Sequence, residues 1–238
     1  MKTAIIVGAS SGIGQALAKI LAKDGYRVGL VARSVALLQE LQRDIGQQAV
    51  IKSIDIADTS AAIIQFAELI QELGNVDLIV ISAGIGFINP ELDWAKERDT
   101  IAVNVTGFTA IANVAMQYFL KQERGHLTNI SSIAALRGSG EAPAYNASKA
   151  FESNYLAGLR HKVAKLRLPI TITDIQPGFV DTAMAQGEGL FWVASPDEAA
   201  RQIYHAIQRQ RKHAYVTRRW RIIAWLLKLV PDALYHRL

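Results

Sequence analysis

Val7-Gly8-Ala9-Ser10-Ser11-Gly12-Ile13-Gly14 joins a short β-branched run, residues 2–7, to an amphipathic stretch, Gly12–Lys23, and this junction decides the fold. Three glycines spaced G-x-x-x-G-x-G permit a tight turn, a close approach by a ligand and close packing of helix on sheet. The N–H groups exposed at the start of the helix, with the positive end of its dipole, suit a pyrophosphate. Gly8, Ser10, Ser11, Gly12, Ile13 and Gly14 are therefore candidate binding residues. The spacing is not G-x-G-x-x-G, and alone it also fits an ordinary turn.

Outward from the turn, short apolar runs alternate with longer helical patterns, as in a parallel sheet built from right-handed βαβ units. Strands are expected at residues 2–7, 27–31, 49–53, 76–81, 126–130, 170–175 and 213–217. Helices are expected at 12–23, from Ser34 onward, at 59–73, within 90–122 and at 143–166. Another should start at Pro196, capped by Ser195. Nothing reads as a linker or repeat, so one α/β domain over 1–238 is expected.

Tyr145 and Lys149 stand four apart inside the helix after the fifth strand, on one face and one turn from each other. A free tyrosine titrates near ~10, and an adjacent ammonium favours its phenolate, which fits a proton donor and acceptor. Ser132 falls at the C-terminal end of strand five, where ligands of open α/β sheets bind. Its hydroxyl can hold a substrate oxygen beside Tyr145. Tyr-x-x-x-Lys alone occurs often by chance; glycine turn, strand-ending serine and Tyr-x-x-x-Lys in this order are far more specific.

In that combination the chain resembles the short-chain dehydrogenase/reductase family along nearly its whole length, although Val7 replaces the threonine that usually starts the turn. The resemblance implies a Rossmann-type doubly wound sheet in the order 3-2-1-4-5-6-7, with helices on both faces. It implies an oxidoreductase that moves hydride between a nicotinamide and a carbonyl or secondary alcohol. Further roles follow from the match alone. Asn104 would complete a catalytic tetrad with Ser132, Tyr145 and Lys149, supporting a water-linked proton relay. Asp55 and Ile56 would meet adenine. Ser82, Ala83 and Gly84 would follow strand four, with Ile81 and Ser82 in place of two asparagines. Pro177, Gly178, Val180 and Thr182 would flank the nicotinamide, and Lys149 would hold its ribose.

Cofactor choice is read where strand two ends. An acid there would bind the ribose 2′-hydroxyl and repel a 2′-phosphate. This chain has Arg33-Ser34, a forked donor set and a hydroxyl that favour NADP(H), with NAD(H) as the alternative.

Half the 238 residues are apolar and cysteine is absent, which excludes disulfides, thiolate metal sites and a cysteine nucleophile. The five histidines show no metal-ligand spacing. No stretch approaches the ~20 apolar residues of a membrane span, so a cytoplasmic protein is expected. Residues 201–238 carry nine Lys or Arg against one acid, while the first 200 are net acidic. Within this tail, about 218–236 reads as a basic amphipathic helix. It suits docking on the domain, closing over the substrate pocket or meeting a second subunit, with docking or subunit contact first and peripheral membrane contact second. No nucleic-acid-binding module accompanies the local charge. By the same resemblance Met184, Leu190, Phe191 and Trp192, with Gly187 and Gly189 as hinges, would frame a bulky apolar carbonyl or alcohol substrate; they equally suit core or interface packing. A homo-oligomer, a dimer or tetramer, is expected. A catalytically idle NADP(H) sensor is the alternative reading, opposed by the intact Ser132, Tyr145 and Lys149.

Overall fold

The computed structural model describes residues 1–184 and 191–235. Seven parallel strands form one sheet in the order β3-β2-β1-β4-β5-β6-β7, as expected. They are β1 (Thr3–Val7), β2 (Arg27–Ala32), β3 (Ala49–Ser53), β4 (Leu78–Ile81), β5 (Gly125–Ile130), β6 (Ile170–Pro177) and β7 (His213–Val216). β1 and β4 are buried at every position, as central parallel strands covered on both faces must be.

Helices α1 (Gly12–Lys23), α2 (Val35–Ile45) and α7 (Pro196–Gln208) bury Leu17, Leu21, Leu38 and Ile203 on one face of the sheet. On the other face, α3 (Thr59–Leu73), α5 (Phe108–Gln122) and α6 (Pro143–Leu166) bury Phe66, Phe108, Phe119 and Leu156. Ser195 caps α7 by accepting from the Glu198 N–H, as the sequence predicted.

Two helices depart from expectation. The one long helix expected within 90–122 is split into segments, the first being α4 (Trp94–Ile101). Asp93 caps it by accepting from Ala95 N–H, and the Asn89 side chain holds Asp93 N–H and Glu97, so local side-chain bonds fix the start beyond Pro90. A π-helical segment, Ala102–Gly107, then joins α4 to α5. The tail helix expected over about 218–236 is two pieces, α8 (Trp220–Leu229) and α9 (Asp232–Tyr235), parted where Pro231 lacks the N–H to continue.

Candidate active site

The glycine turn rises from β1 with Gly8 at φ 91° and Gly12 at φ 55°, backbone that side-chain-bearing residues rarely adopt. A Cβ on Gly8 would lie 2.5 Å from Ala83 N, and one on Gly14 would lie 2.1 Å from the Gly8 carbonyl. The turn is thus pressed both against the loop after β4 and against its own helix. Ser10 and Ile13 are half-buried, and Ser11 precedes α1 in extended backbone without a side-chain cap, so the helix start presents bare N–H groups. Thr182, beyond β6, reaches over the turn to within 3.0 Å of where a Gly12 Cβ would be.

Along the same edge, Arg33 is exposed just past β2, its carbonyl accepting from Ser53 Oγ. Ser34 Oγ accepts from Leu37 N–H and caps α2. Asp55 turns its carboxylate onto Ala57 N–H at 3.0 Å, and Ile56 is buried against Gly107. These four lie at the strand-two and strand-three ends, away from the cluster that follows.

That cluster gathers Ser132, Tyr145, Lys149, Asn104 and Gly84. Ser132 Oγ accepts from Ala134 N–H and caps a 3₁₀ turn, Ile133–Leu136. Asn146 donates to the carbonyls of Ala134 and Arg137, pinning that turn to the start of α6. One turn apart on α6, Lys149 Nζ stands 5.8 Å from the Tyr145 ring centroid. The ring packs against Gly86, where a Cβ would come within 2.7 Å, and a Cβ on Gly84 would sit 3.1 Å from Lys149 Nζ. Asn104, fully buried in the π segment, accepts from Ile85 N–H and donates to Ile85 O and Ser148 Oγ. Its side chain therefore clips the loop after β4 onto α6.

The network beneath Lys149 escaped the sequence reading. Its ammonium donates to both Glu152 oxygens, at 2.8 and 3.1 Å, and Asn129 donates to Glu152 Oε2. Ser131 donates to Asp174, which also receives Gln176. Burial works against the ammonium of Lys149, but the carboxylate of Glu152, helped by Tyr145 and Asp174, outweighs it and holds the lysine above its ordinary range. Burial pushes the Glu152 carboxyl up against the pull of Lys149 and Asn129. The signal was there: a glutamate three residues after a lysine on a helix is a pairing distance.

After β6, Gly178 N–H donates to Val216 O, and Val180 bridges to Ala194. The indole of Trp220 lies where a Gly178 Cβ would be, 1.9 Å from the nearest ring atom, and edge-on to Phe179 at 5.2 Å. Sequence reading offered the tail helix that carries Trp220 as one that could close over the substrate pocket, without singling out this residue. Of the substrate frame, Met184, Phe191 and Trp192 are exposed; Gly187, Gly189 and Leu190 lie outside the described residues.

Sheet order, glycine turn and polar cluster together define a Rossmann-type nucleotide-binding oxidoreductase. The profile of the short chain dehydrogenase family matches residues 2–190. The chain belongs to that family. An uncharacterized oxidoreductase of Myxococcus xanthus is 36% identical over 189 residues, 77% of this chain and 74% of that one. A 3-oxoacyl-(acyl-carrier-protein) reductase of Bos taurus is 29% identical over 187 residues, 78% of each chain. A short chain dehydrogenase/reductase from Burkholderia phymatum, solved with NAD, superposes with a TM-score of 0.83 over 94% of this chain and 92% of its own, at 21% identity. An alcohol dehydrogenase from Thermococcus sibiricus, solved with 5-hydroxy-NADP, gives 0.81 over 91% and 96%, at 23% identity.

Proposed function

We propose that the chain is an NADP(H)-dependent reductase of carbonyl compounds, with the reverse alcohol oxidation open to it, and that Tyr145 is its general acid and base. The observation that carries this reading is the arrangement of Tyr145 and Lys149 on one face of α6, with the ring seated on Gly86 and the ammonium beneath Gly84.

The residues fit a dinucleotide. The strained glycines and bare start of α1 form a cradle that any Cβ at Gly8 or Gly14 would fill, and Thr182 leans over it. In this reading Gly8, Ser10, Ser11, Gly12, Ile13 and Gly14 hold the pyrophosphate, and Asp55 and Ile56 meet adenine. Ser82, Ala83, Gly84, Pro177, Gly178, Val180 and Thr182 line the nicotinamide end. Arg33 and Ser34 meet a 2′-phosphate, Arg33 being exposed at the end of β2 with no acid beside it in sequence to repel that group. When bound, the reduced nicotinamide supplies the hydride.

The protein's part is positional and electrostatic. Ser132 orients the carbonyl oxygen, and Tyr145 delivers a proton to it as negative charge develops there. Lys149, kept charged by Glu152, sets the field around the phenol and reaches toward the cofactor ribose. Asn104 holds the loop that carries Gly84 and Gly86 against them. The exposed Phe191 and Trp192 suit a bulky apolar substrate. A single nucleotide-binding unit working in the cytoplasm as a homo-oligomer completes the proposal. Because a positioned acid contributes about 10²–10⁴-fold, Tyr145→Phe should lower turnover by that factor while NADPH titration gives an unchanged Kd. Undiminished turnover overturns the assignment.

A further inference from the structure

Helix α8 has two apolar faces and the domain uses only one. Trp220 and Ala224 are buried, with Ile223 and Leu227 packed beside them against Ile133. The opposite face carries Ile222, Trp225, Leu226 and Leu229, spaced i, i+3, i+4, i+7 and exposed by 61, 67, 49 and 59%. Solvent gains nothing from a stripe so regular.

Beside it opens a hollow of about 760 Å³ that includes Arg209, Arg211, Arg218, Arg221 and Lys228 in its lining and no acid. Among the described residues, none of these five cations is in an ion pair. A second copy of this chain is a poor occupant: a two-fold interface sets a patch against itself and would bring these cations together. An apolar stripe with a tryptophan, rimmed by unpaired cations, matches the boundary between acyl chains and phosphate headgroups.

The stripe also adjoins the mouth of the site. Arg137, just past the turn that Ser132 caps, donates to the Leu227 and Val230 carbonyls and pairs with Asp232. At the other end, Arg219 donates to the Trp192 carbonyl and Trp220 stacks on Phe191 at 5.1 Å. We infer that α8 docks the protein on an anionic phospholipid surface, with its cation-lined hollow against the headgroup phosphates, so that the active site draws a carbonyl substrate dissolved in the bilayer. The substrate clause rests on the reductase reading; the docking clause does not.

Flotation with vesicles of phosphatidylcholine, alone or mixed with phosphatidylglycerol, tests the docking. The full chain should float with mixed vesicles at low salt and be released by high salt. Arg221→Glu with Lys228→Glu should weaken that binding by about tenfold or more, at ~1 kcal/mol per charge, and Trp225→Ser should weaken it too. NADPH affinity and reduction of a short soluble aldehyde should be unchanged in both variants, whereas turnover of a long-chain aldehyde carried in mixed vesicles should fall. Equal flotation with neutral vesicles, or indifference to the substitutions, overturns the docking. So does a wild-type dimer that ignores vesicles and is dissociated by Trp225→Ser, which would make a second copy the occupant. Flotation as expected, without turnover of any aldehyde, would sink the reductase reading and leave the docking standing.

Discussion

Lys149 Nζ lies 2.8 Å from Glu152 Oε1, and both side chains are almost wholly withdrawn from solvent, at 4 and 1% exposure. The lysine proposed to serve the cofactor is thus one half of an internal ion pair. Removing one partner from such a pair typically costs about 3–5 kcal/mol, whereas replacing both with apolar groups costs far less. Glu152→Leu should therefore unfold at markedly lower urea. Lys149→Met should likewise unfold at lower urea, because it leaves the buried Glu152 carboxyl without its ammonium partner. The double variant should regain most of the loss. Two single costs that simply add would disprove the coupling.

Gly86 is the floor under the tyrosine ring. A methyl group there meets Tyr145 Cδ2 at 2.7 Å, so Gly86→Ala must displace the ring while leaving the sheet alone. Small misplacements of a reacting group cost up to about 10²-fold. Steady-state kinetics should show kcat falling at least ~10-fold, with the melting temperature and NADPH Kd close to wild type. An unaltered kcat would mean that the phenol is not where the chemistry occurs.

Arg33 offers the test of cofactor choice. A charge-assisted hydrogen bond contributes about 1.5–3 kcal/mol, so Arg33→Ala should raise the KM for NADPH by roughly 10–150-fold and leave that for NADH within a few-fold. Parallel losses with both nucleotides would place this side chain elsewhere than at the 2′-phosphate.

Acid should weaken the fold through His126. Burial lowers its imidazole to about 4. Its Nε2 lies 2.7 Å from Thr173 Oγ1, whose own proton goes to Arg211 O, so Nε2 carries the hydrogen. A depressed histidine is neutral in the fold while the unfolded chain protonates below ~6.5, so stability present above that pH is lost as pH falls toward about 4. The loss should approach ~3 kcal/mol at 1.36 kcal/mol per pH unit. Urea titrations of wild type and His126→Gln between pH 7 and 4 measure it; equal slopes for the two proteins would exclude this residue as the source.

Much of the architecture was readable because periodicity and punctuation agreed. α1, α3, β3 and α6 fall on the expected residues, each bounded by a glycine, a cap or a proline. The start of α4 was not readable, since it depends on Asn89 meeting Asp93 and Glu97 in space. Nor was the π register at Asn104, which follows from that side chain bonding Ile85 across the loop. At the site, Tyr145, Lys149 and Ser132 stood out by type and spacing. Asn129, Ser131 and Asp174 did not, because polar residues in a strand or just past its end acquire their partners only once the sheet and α6 assemble. Trp220 looked like part of a surface helix; only the bare backbone at Gly178 gives it a socket.

That socket decides where the polypeptide can be shortened. The family match stops at residue 190, yet the ring that roofs Gly178 and Phe179 comes from thirty positions downstream. A chain ending at the family boundary would lose α7 and β7, and would bare Phe179, Ile133 and the last strand's edge to water. Exposed apolar surface beside an open strand edge invites aggregation, so the unit that folds is longer than the stretch the family profile matches.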